Sequence, residues 1–347
     1  MAADGTLTHP LTSDRIRALR AEEPKLRARD FAVRHGLAEA ELVAAQVGHG
    51  ATRIAAHPDQ LIPLVCTLGD VMALTRNESC VIERRGTYEN YHSGAHAQMV
   101  LGDEIDMRFF GKHWLHAFAL EEGDSRSIQV FDAAGDAVHK VHLKPSSDVA
   151  AFARLVEALR LDDQSDSLVL EPRALTEAPK GDAERVEVLR SEWSKMTDTH
   201  QFLRLVSKLK FNRLGAYRLV GAPHAVAMAP ESVGLLLERV AATQTPLMIF
   251  VGNQGCIEIH SGTIENVTPM GPWINVLDPR FNLHLRGDHI AEVWLVDKPT
   301  NNGPALSLEA FDADGGLILQ IFGSRKHGGI DAFNATLAGL PRKEAVQ

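Results

Sequence analysis

Cysteine is scarce in this chain, positive charge is not in excess, and no long apolar run occurs; each shortage excludes something. The three cysteines, Cys66, Cys80 and Cys256, are odd in number and far apart in 347 residues. With no Cys-x-x-Cys pair they support neither a disulfide framework nor a thiolate metal site. The formal net charge of −9 argues against a non-specific binder of nucleic acid or of anionic membranes. No stretch approaches the roughly 18 apolar residues that would suggest a membrane span. Met1 to Pro10 lack a basic start followed by an apolar segment, so no secretory signal is read there and a cytoplasmic location is expected. A Gly-rich phosphate loop, a Ser-His-Asp order and a His-Glu-x-x-His stretch are missing too, which leaves P-loop, hydrolase and zincin chemistry without support.

What the chain does have is an internal duplication. Residues 79–91 read SCVIERRGTYENY and residues 255–267 read GCIEIHSGTIENV, with Cys80, Gly86 and Asn90 each matched 176 places on by Cys256, Gly262 and Asn266. The same offset lays IDMRFFGKHWLHAFAL (105–120) on FNLHLRGDHIAEVWLV (281–296). VFDAAGDAV (130–138) resembles AFDADGGLI (310–318), both strand, turn, strand with Asp-Ala-x-Gly as the turn. Each half closes on a helical pattern, residues 148–159 and 329–340. The order of matched blocks is kept, which chance similarity between two β-rich halves would not do.

Within each half, helical patterns come first (12–48, with Ser13 as cap, and 186–221), then many short strands in succession, then one helix. Strands that follow one another without intervening helices make an antiparallel sheet. The expected class is therefore α+β: two repeats, each a large antiparallel sheet packed with helices. The boundaries read as 1–160 for the N-terminal repeat, 161–185 for a polar, acidic linker and 186–347 for the C-terminal repeat.

One stretch, residues 193–209 (WSKMTDTHQFLRLVSKL), reads as a helix start. Asp198 has the chemistry of an N-cap, and Gln201 follows at capping-box spacing. Phe202, Leu205, Val206 and Leu209 make one apolar stripe, and His200 falls on the other face with Arg204, Ser207 and Lys208. The helix dipole at that position favours a neutral imidazole, which is what an iron or zinc ligand requires. The same features also describe an ordinary surface histidine. His113 with His116, and His139 with His142, are three apart in strand-like segments, and their members point to opposite sheet faces. His92 and His96 bracket a turn. Satisfied or solvated side chains are the better reading for all six. Between the halves, Arg108 aligns with His284, and His200 aligns with no histidine, its counterpart lying near Leu26 and Arg27. A cleft between the halves could draw a metal ligand from one and a cationic donor from the other; alternatively Arg108 is a plain solvent-facing strand residue.

Residues 196–202 (MTDTHQF), Asn212-Arg213, 216–221 (AYRLVG), 71–78 (VMALTRNE), 104–109 (EIDMRF) with His113-Trp114, and 323–326 (GSRK) together resemble the HemS/ChuS-type haemin-degrading and haem-transfer proteins of bacterial haem uptake, over nearly the whole chain. The resemblance implies two structural repeats with haem in a cleft between them. It implies His200 as the axial ligand of the haem iron and Arg108 as the arginine on the opposite side. Arg213, Lys298 and Arg325 correspond to positions that approach the propionates, and Met248, Phe250, Gln320 and Phe322 to positions lining the pocket. Where some members carry a tyrosine near the propionates, Phe322 or Glu309 stands here. Haem is a flat apolar dianion around iron, and such a ligand asks for aliphatic and aromatic walls with a few cations. The functions implied are oxidative haem degradation with an external electron donor, or haem carriage between an importer and a downstream haem oxygenase.

Overall fold

The computed structural model describes residues 11–343; the reading of Met1 to Pro10 lies outside them. The first repeat opens on three short helices, α1 (Ser13–Glu22), α2 (Ala28–His35) and α3 (Glu39–Ala44), then β1 (Ala51–Ile54) and α4 (Pro58–Val65). Eight strands follow: β2 (Val71–Arg76), β3 (Cys80–Gly86), β4 (Tyr91–His92), β5 (Gln98–Leu101), β6 (Asp106–Phe109), β7 (His116–Glu122), β8 (Ser125–Phe131) and β9 (Ala137–Leu143). Helix α5 (Val149–Leu159) closes the repeat, capped by the Asp148 carboxylate, which accepts from Ala151 N. The second repeat runs the same way. Helices α6 (Val186–Ser194), α7 (Gln201–Leu209) and α8 (Arg213–Val220) precede β10 (Ala225–Met228) and α9 (Ser232–Thr243). Then come β11 (Leu247–Gly252), β12 (Cys256–Gly262), β13 (Val267–Met270), β14 (Trp273–Asp278), β15 (Phe281–Arg286), β16 (Glu292–Lys298), β17 (Ala305–Phe311), β18 (Leu317–Gly323) and α10 (Ile330–Ala338).

The class is α+β with two large antiparallel sheets, and the repeats exchange strands. One nine-stranded sheet has the order β1-β7-β8-β9-β2-β3-β15-β14-β13, and the other β10-β16-β17-β18-β11-β12-β6-β5-β4. Six strands of each come from one repeat and three from the other. The joints are β15 on β3 (Leu283 opposite Ile82) and β6 on β12 (Met107 opposite Glu258). The lent strands still bury their side chains in their own repeat's core: Met107 and Phe109 pack with Leu61, Val65 and Phe152 of α4 and α5, and Leu283 and Leu285 with Leu236 and Val240 of α9.

The turns repeat as the sequence leads one to expect. The Asp132 carboxylate accepts from Ala134 N and Asp136 N, and Asp312 from Asp314 N and Gly316 N. Gly135 and Gly315 take the left-handed conformation these turns need (φ 80° and 89°). Two helices go unread in the sequence, α4 and α9; the first is eight residues long and carries Pro58 and Pro63, which mask its periodicity. Ser13 is not the cap of α1, whose N-cap is Thr12, with its hydroxyl accepting from Arg15 N. His113 lies in a short 3-10 turn, Gly111–His113, and not in a strand, whereas His139 and His142 do point to opposite faces of β9. The linker is pinned near its start, middle and end, through Leu161 N to Arg53 O, Glu171 N to Ala133 O and Asn212 N to Lys180 O. Among the described residues no helix is long and apolar enough to cross a membrane.

Candidate functional site

Strand pairing places the pocket residues read from sequence on one face of the second sheet. In antiparallel strands directly opposed residues share a face. Glu309, Gln320 and Phe250 form one such row across β17, β18 and β11, and Ser307, Phe322 and Met248 form the next. Phe250 and Phe322 meet edge to face at 5.3 Å. The rows continue through Ile259 to β6, where Arg108 lies opposite Ile257 on this same face. Arg108 is thus two strands and one residue pair from Phe250, roughly 12 Å by strand spacing and rise. Strand exchange is what carries this first-repeat arginine to the second repeat's sheet. Its guanidinium bonds the Asp106 carboxylate and, at 3.0 Å, donates to Met107 O; it is about a third exposed.

Helices α6 to α8 cover the β16–β17 end of this face. Trp193, Phe202, Leu205, Val206 and Tyr217 bury Trp294, Val296 and Phe311. The apolar stripe of α7 read from sequence is this contact. Its capping differs from the expectation. His200 is itself the N-cap, and the Gln201 side chain reaches back to Thr197 N, one residue earlier than a box begun at Asp198 would place it. Asp198 instead serves His200: its Oδ1 accepts from His200 N at 2.7 Å and lies 2.6 Å from Nδ1. A proton on Nδ1 satisfies that carboxylate and leaves the Nε2 lone pair outward on a side chain that is 94% exposed. A carboxylate on the far nitrogen of an imidazole fixes its tautomer and raises its basicity as a ligand. The turn is tied to the β16–β17 loop by Asn301 N donating to Thr197 O, and Arg325 holds the same loop through Asn302 O and Pro304 O. His200 and Arg325 therefore border one rim. Among the described residues no group of three or more His, Cys, Asp and Glu side chains could hold a metal ion. A lone imidazole at this rim suits a metal that brings its own equatorial ligands.

The three sequence-read cations separate. Arg325 is on the rim, whereas Lys298 is 3% exposed and donates to Glu309 Oε1 at 2.5 Å. Arg213 donates to Glu309 Oε2 at 3.0 Å and is about one-fifth exposed. Glu309, fully buried, also accepts from Ser307 Oγ and Tyr217 OH, both at 2.9 Å. Burial alone would push its carboxyl up, but Lys298 and Arg213 outweigh that and hold it ionised, down at about 2. The partnership of Asp198 with His200, the places of Tyr217 and Ser307, and the ion-pairing role of Glu309 were missed from sequence. A signal existed only in β17, where Ser307 and Glu309 alternate as polar residues on a strand whose other positions are apolar.

The first repeat carries the same face without the same contents. Met72 and Leu74 stand where Met248 and Phe250 do, and Lys140 and His142 where Gln320 and Phe322 do. The N-cap of α2 is Arg27, in the place of His200. Its ion cluster is inverted: Glu39 of α3 binds Arg76 and Lys140 of the sheet, whereas in the second repeat the acid is on the strand. A cavity of about 590 Å³ lined by His57, His96, His113, Lys112 and Gln98 contains none of the residues read for the site.

The face thus has aromatic and thioether walls, Arg325 and the outward imidazole nitrogen of His200 at its rim, and two further cations beneath it on Glu309. These are the side-chain types that a flat, apolar, anionic ligand with a metal requires. Comparison with known proteins agrees in kind. The family model described as the haemin-degrading HemS.ChuX domain matches residues 36–159 and again 210–340. The haemin transport protein HmuS of Yersinia pestis is 41% identical over 314 residues, covering 89% of this chain and 90% of that one. The crystal structure of apo-PhuS, a haem-binding protein from Pseudomonas aeruginosa, superposes with a TM-score of 0.89 at 42% identity, covering 94% of this chain and 98% of that one. ChuS of Escherichia coli O157:H7, described as a haem-degrading enzyme, does so at 0.87 and 33% identity, covering 95% and 98%.

Proposed function

Given that the chain belongs to the family of the haemin-degrading HemS.ChuX domain, we propose that it takes up haem and opens the macrocycle oxidatively to release iron. Haem handling follows from the family; the ring-opening step is supported by one observation above all. An arginine, Arg108, shares the ligand-binding face with the apolar strip, although a grip on haem requires only the strip, His200 and cations. Haem, as substrate, supplies the iron at which oxygen is activated, and an external electron donor supplies the electrons. The chain's own residues have distinct tasks. His200 offers Nε2 as the axial ligand, with Asp198 holding the Nδ1 proton. Met248, Phe250, Gln320 and Phe322 form the wall and exclude water. Arg325 approaches a propionate from the rim, and Arg213 and Lys298 supply positive charge from beneath. Arg108 donates hydrogen bonds to an anionic oxygen ligand, and because a guanidinium stays charged it cannot be the proton source.

A second reading, a carrier that hands haem from an importer to a downstream haem oxygenase, is favoured by the 94% exposure of His200, which leaves the ligand bond open to exchange. The two part on one experiment. The haem complex is reduced by a physiological donor system with catalase present. Release of iron and an open tetrapyrrole supports degradation; a Soret band that persists supports the carrier.

A further inference from the structure

We infer that Glu309 is a positioning residue for the proposed haem site: its carboxylate orients Arg213 and Lys298, and through their contact with Phe202 it fixes the end of α7 that bears His200. The functional consequence rests on the haem reading above, whereas the link to α7 stands without it.

The links run residue by residue. Glu309 fills both oxygens, Oε1 with Lys298 Nζ and Ser307 Oγ, and Oε2 with Arg213 Nη1 and Tyr217 OH. So held, Lys298 Nζ stands 5.0 Å and Arg213 Cζ 5.4 Å from the centre of the Phe202 ring. Both are within cation–π range. Phe202 is in the first turn of α7, two residues past His200, and is also packed edge to face on Trp193 at 4.9 Å. The carboxylate on β17 thus sets two cations, the cations hold a ring, and the ring holds the helix start.

Charge supports the same assignment. One carboxylate against a guanidinium and an ammonium leaves one positive charge in excess, in a cluster whose acid is fully buried. An uncompensated buried charge is costly, and an anion beside it relieves that cost. Glu309 lies directly opposite Gln320, itself opposite Phe250, so the excess borders the aromatic strip. A carboxylate on the ligand's edge would be drawn to this end of the face. The first repeat supplies the contrast. At the register of Glu309 it has Gln129, opposite Lys140, and its acid, Glu39, is on the helix and binds the sheet cations Arg76 and Lys140. That repeat also has Arg27 in the place of His200.

The test compares the full chain with its Glu309→Gln and Glu309→Asp variants, first without haem and then with haemin or haemin dimethyl ester, which lacks the acidic edge. In Glu309→Gln the amides of residues 203–209 should exchange at least tenfold faster, with α5 unchanged. Its haemin Kd should rise at least tenfold, the ester-to-haemin Kd ratio should fall toward one, and the histidine-ligated spectrum should fade; Glu309→Asp should recover part of each. A Glu309→Gln protein that melts cooperatively with α7 exchange unchanged overturns the assignment. Faster exchange with haemin affinity and spectrum intact overturns it too, since Glu309 would then serve stability alone. Should Glu309→Gln fail to fold, Phe202→Leu keeps the carboxylate and both cations and removes the ring. It should speed α7 exchange and fade the histidine-ligated spectrum while preserving the ester ratio, and unchanged exchange and spectrum again refute the role. A wild-type protein that leaves haemin untouched would sink the haem reading, and the haem-free exchange comparison would still decide whether Glu309 holds α7.

Discussion

Asn77 and Asn253, 176 residues apart, clasp each other's repeat in the same way. Asn77 Nδ2 donates to Gly252 O and Ile318 O at 3.2 and 2.8 Å, and Asn253 Nδ2 donates to Arg76 O and Val138 O at 3.0 and 2.8 Å. Each Oδ1 accepts from two amides of its own turn, Ser79 N and Cys80 N in one case, Gly255 N and Cys256 N in the other. The two side chains mark a pseudo-twofold axis between the sheets.

Replacing either asparagine by alanine strands the partner repeat's carbonyls and the turn's amides. Asn77→Ala and Asn253→Ala should each cost about 2–3 kcal/mol, and by similar amounts, because the environments match. Urea denaturation measures this. A loss below about 0.5 kcal/mol in both would show that solvent replaces these bonds freely.

The pairing of His200 with Asp198 predicts a graded effect on haem. His200→Ala should abolish the histidine-ligated spectrum on haemin titration. Asp198→Asn keeps the shape, removes the charge and should weaken haemin binding about tenfold. An unchanged spectrum in His200→Ala would move the ligand to another histidine, with His224 and His327 the next to substitute.

Arg108→Ala should separate binding from ligand chemistry. Haemin affinity should stay within about threefold of wild type, whereas fluoride, an anionic acceptor, should bind the haem complex about tenfold more weakly, the worth of one charge-assisted hydrogen bond. Loss of haemin binding itself would remove Arg108 from the distal side.

Glu258 gives a pH signature. It is fully buried on β12 with both oxygens unpartnered, and burial pushes its carboxyl up to about 8 against Thr75 and Arg84, with Glu83 adding to the rise. The folded state keeps a proton there that the unfolded chain loses near pH 4.3, so this stability is complete below that value and is lost as pH rises through about 8. His139 and His260, lowered to about 3 by burial, and His142, to about 4, act oppositely and cost stability as pH falls below about 6.5. Stability should therefore peak near pH 7 and fall from there to pH 8 at about 0.5 kcal/mol per unit. Glu258→Gln should flatten that limb and steepen the acid limb above about pH 4.3, where the carboxyl and the histidines oppose each other. A limb that keeps its slope in the variant would assign it to another group.

Much of this was legible in the sequence, for identifiable reasons. The stripe Phe202, Leu205, Val206 and Leu209 is local periodicity, and it buries as read. The Asp132 and Asp312 turns are local chemistry, and they form as read. Strand exchange was not legible, because alternation in 105–109 is the same whether β6 pairs with its own repeat or with β12. Nor was the fate of Lys298: alternation tells which face a residue shares but not that Glu309 on the next strand will claim its ammonium. The shift of the cap from Asp198 to His200 has a plain cause, since Asp198 spends its oxygen on the imidazole.

Because each repeat lends three strands to the other's sheet, inheritance and location part company in this molecule. A codon change at Arg108, in the first copy of the duplicated segment, alters a surface assembled on the second copy, while His284, its cousin by descent, stands on the other sheet and answers to Asn275 instead. The two copies have become specialists whose contributions are filed under each other's address, and neither can be deleted without unravelling a sheet edge in the survivor.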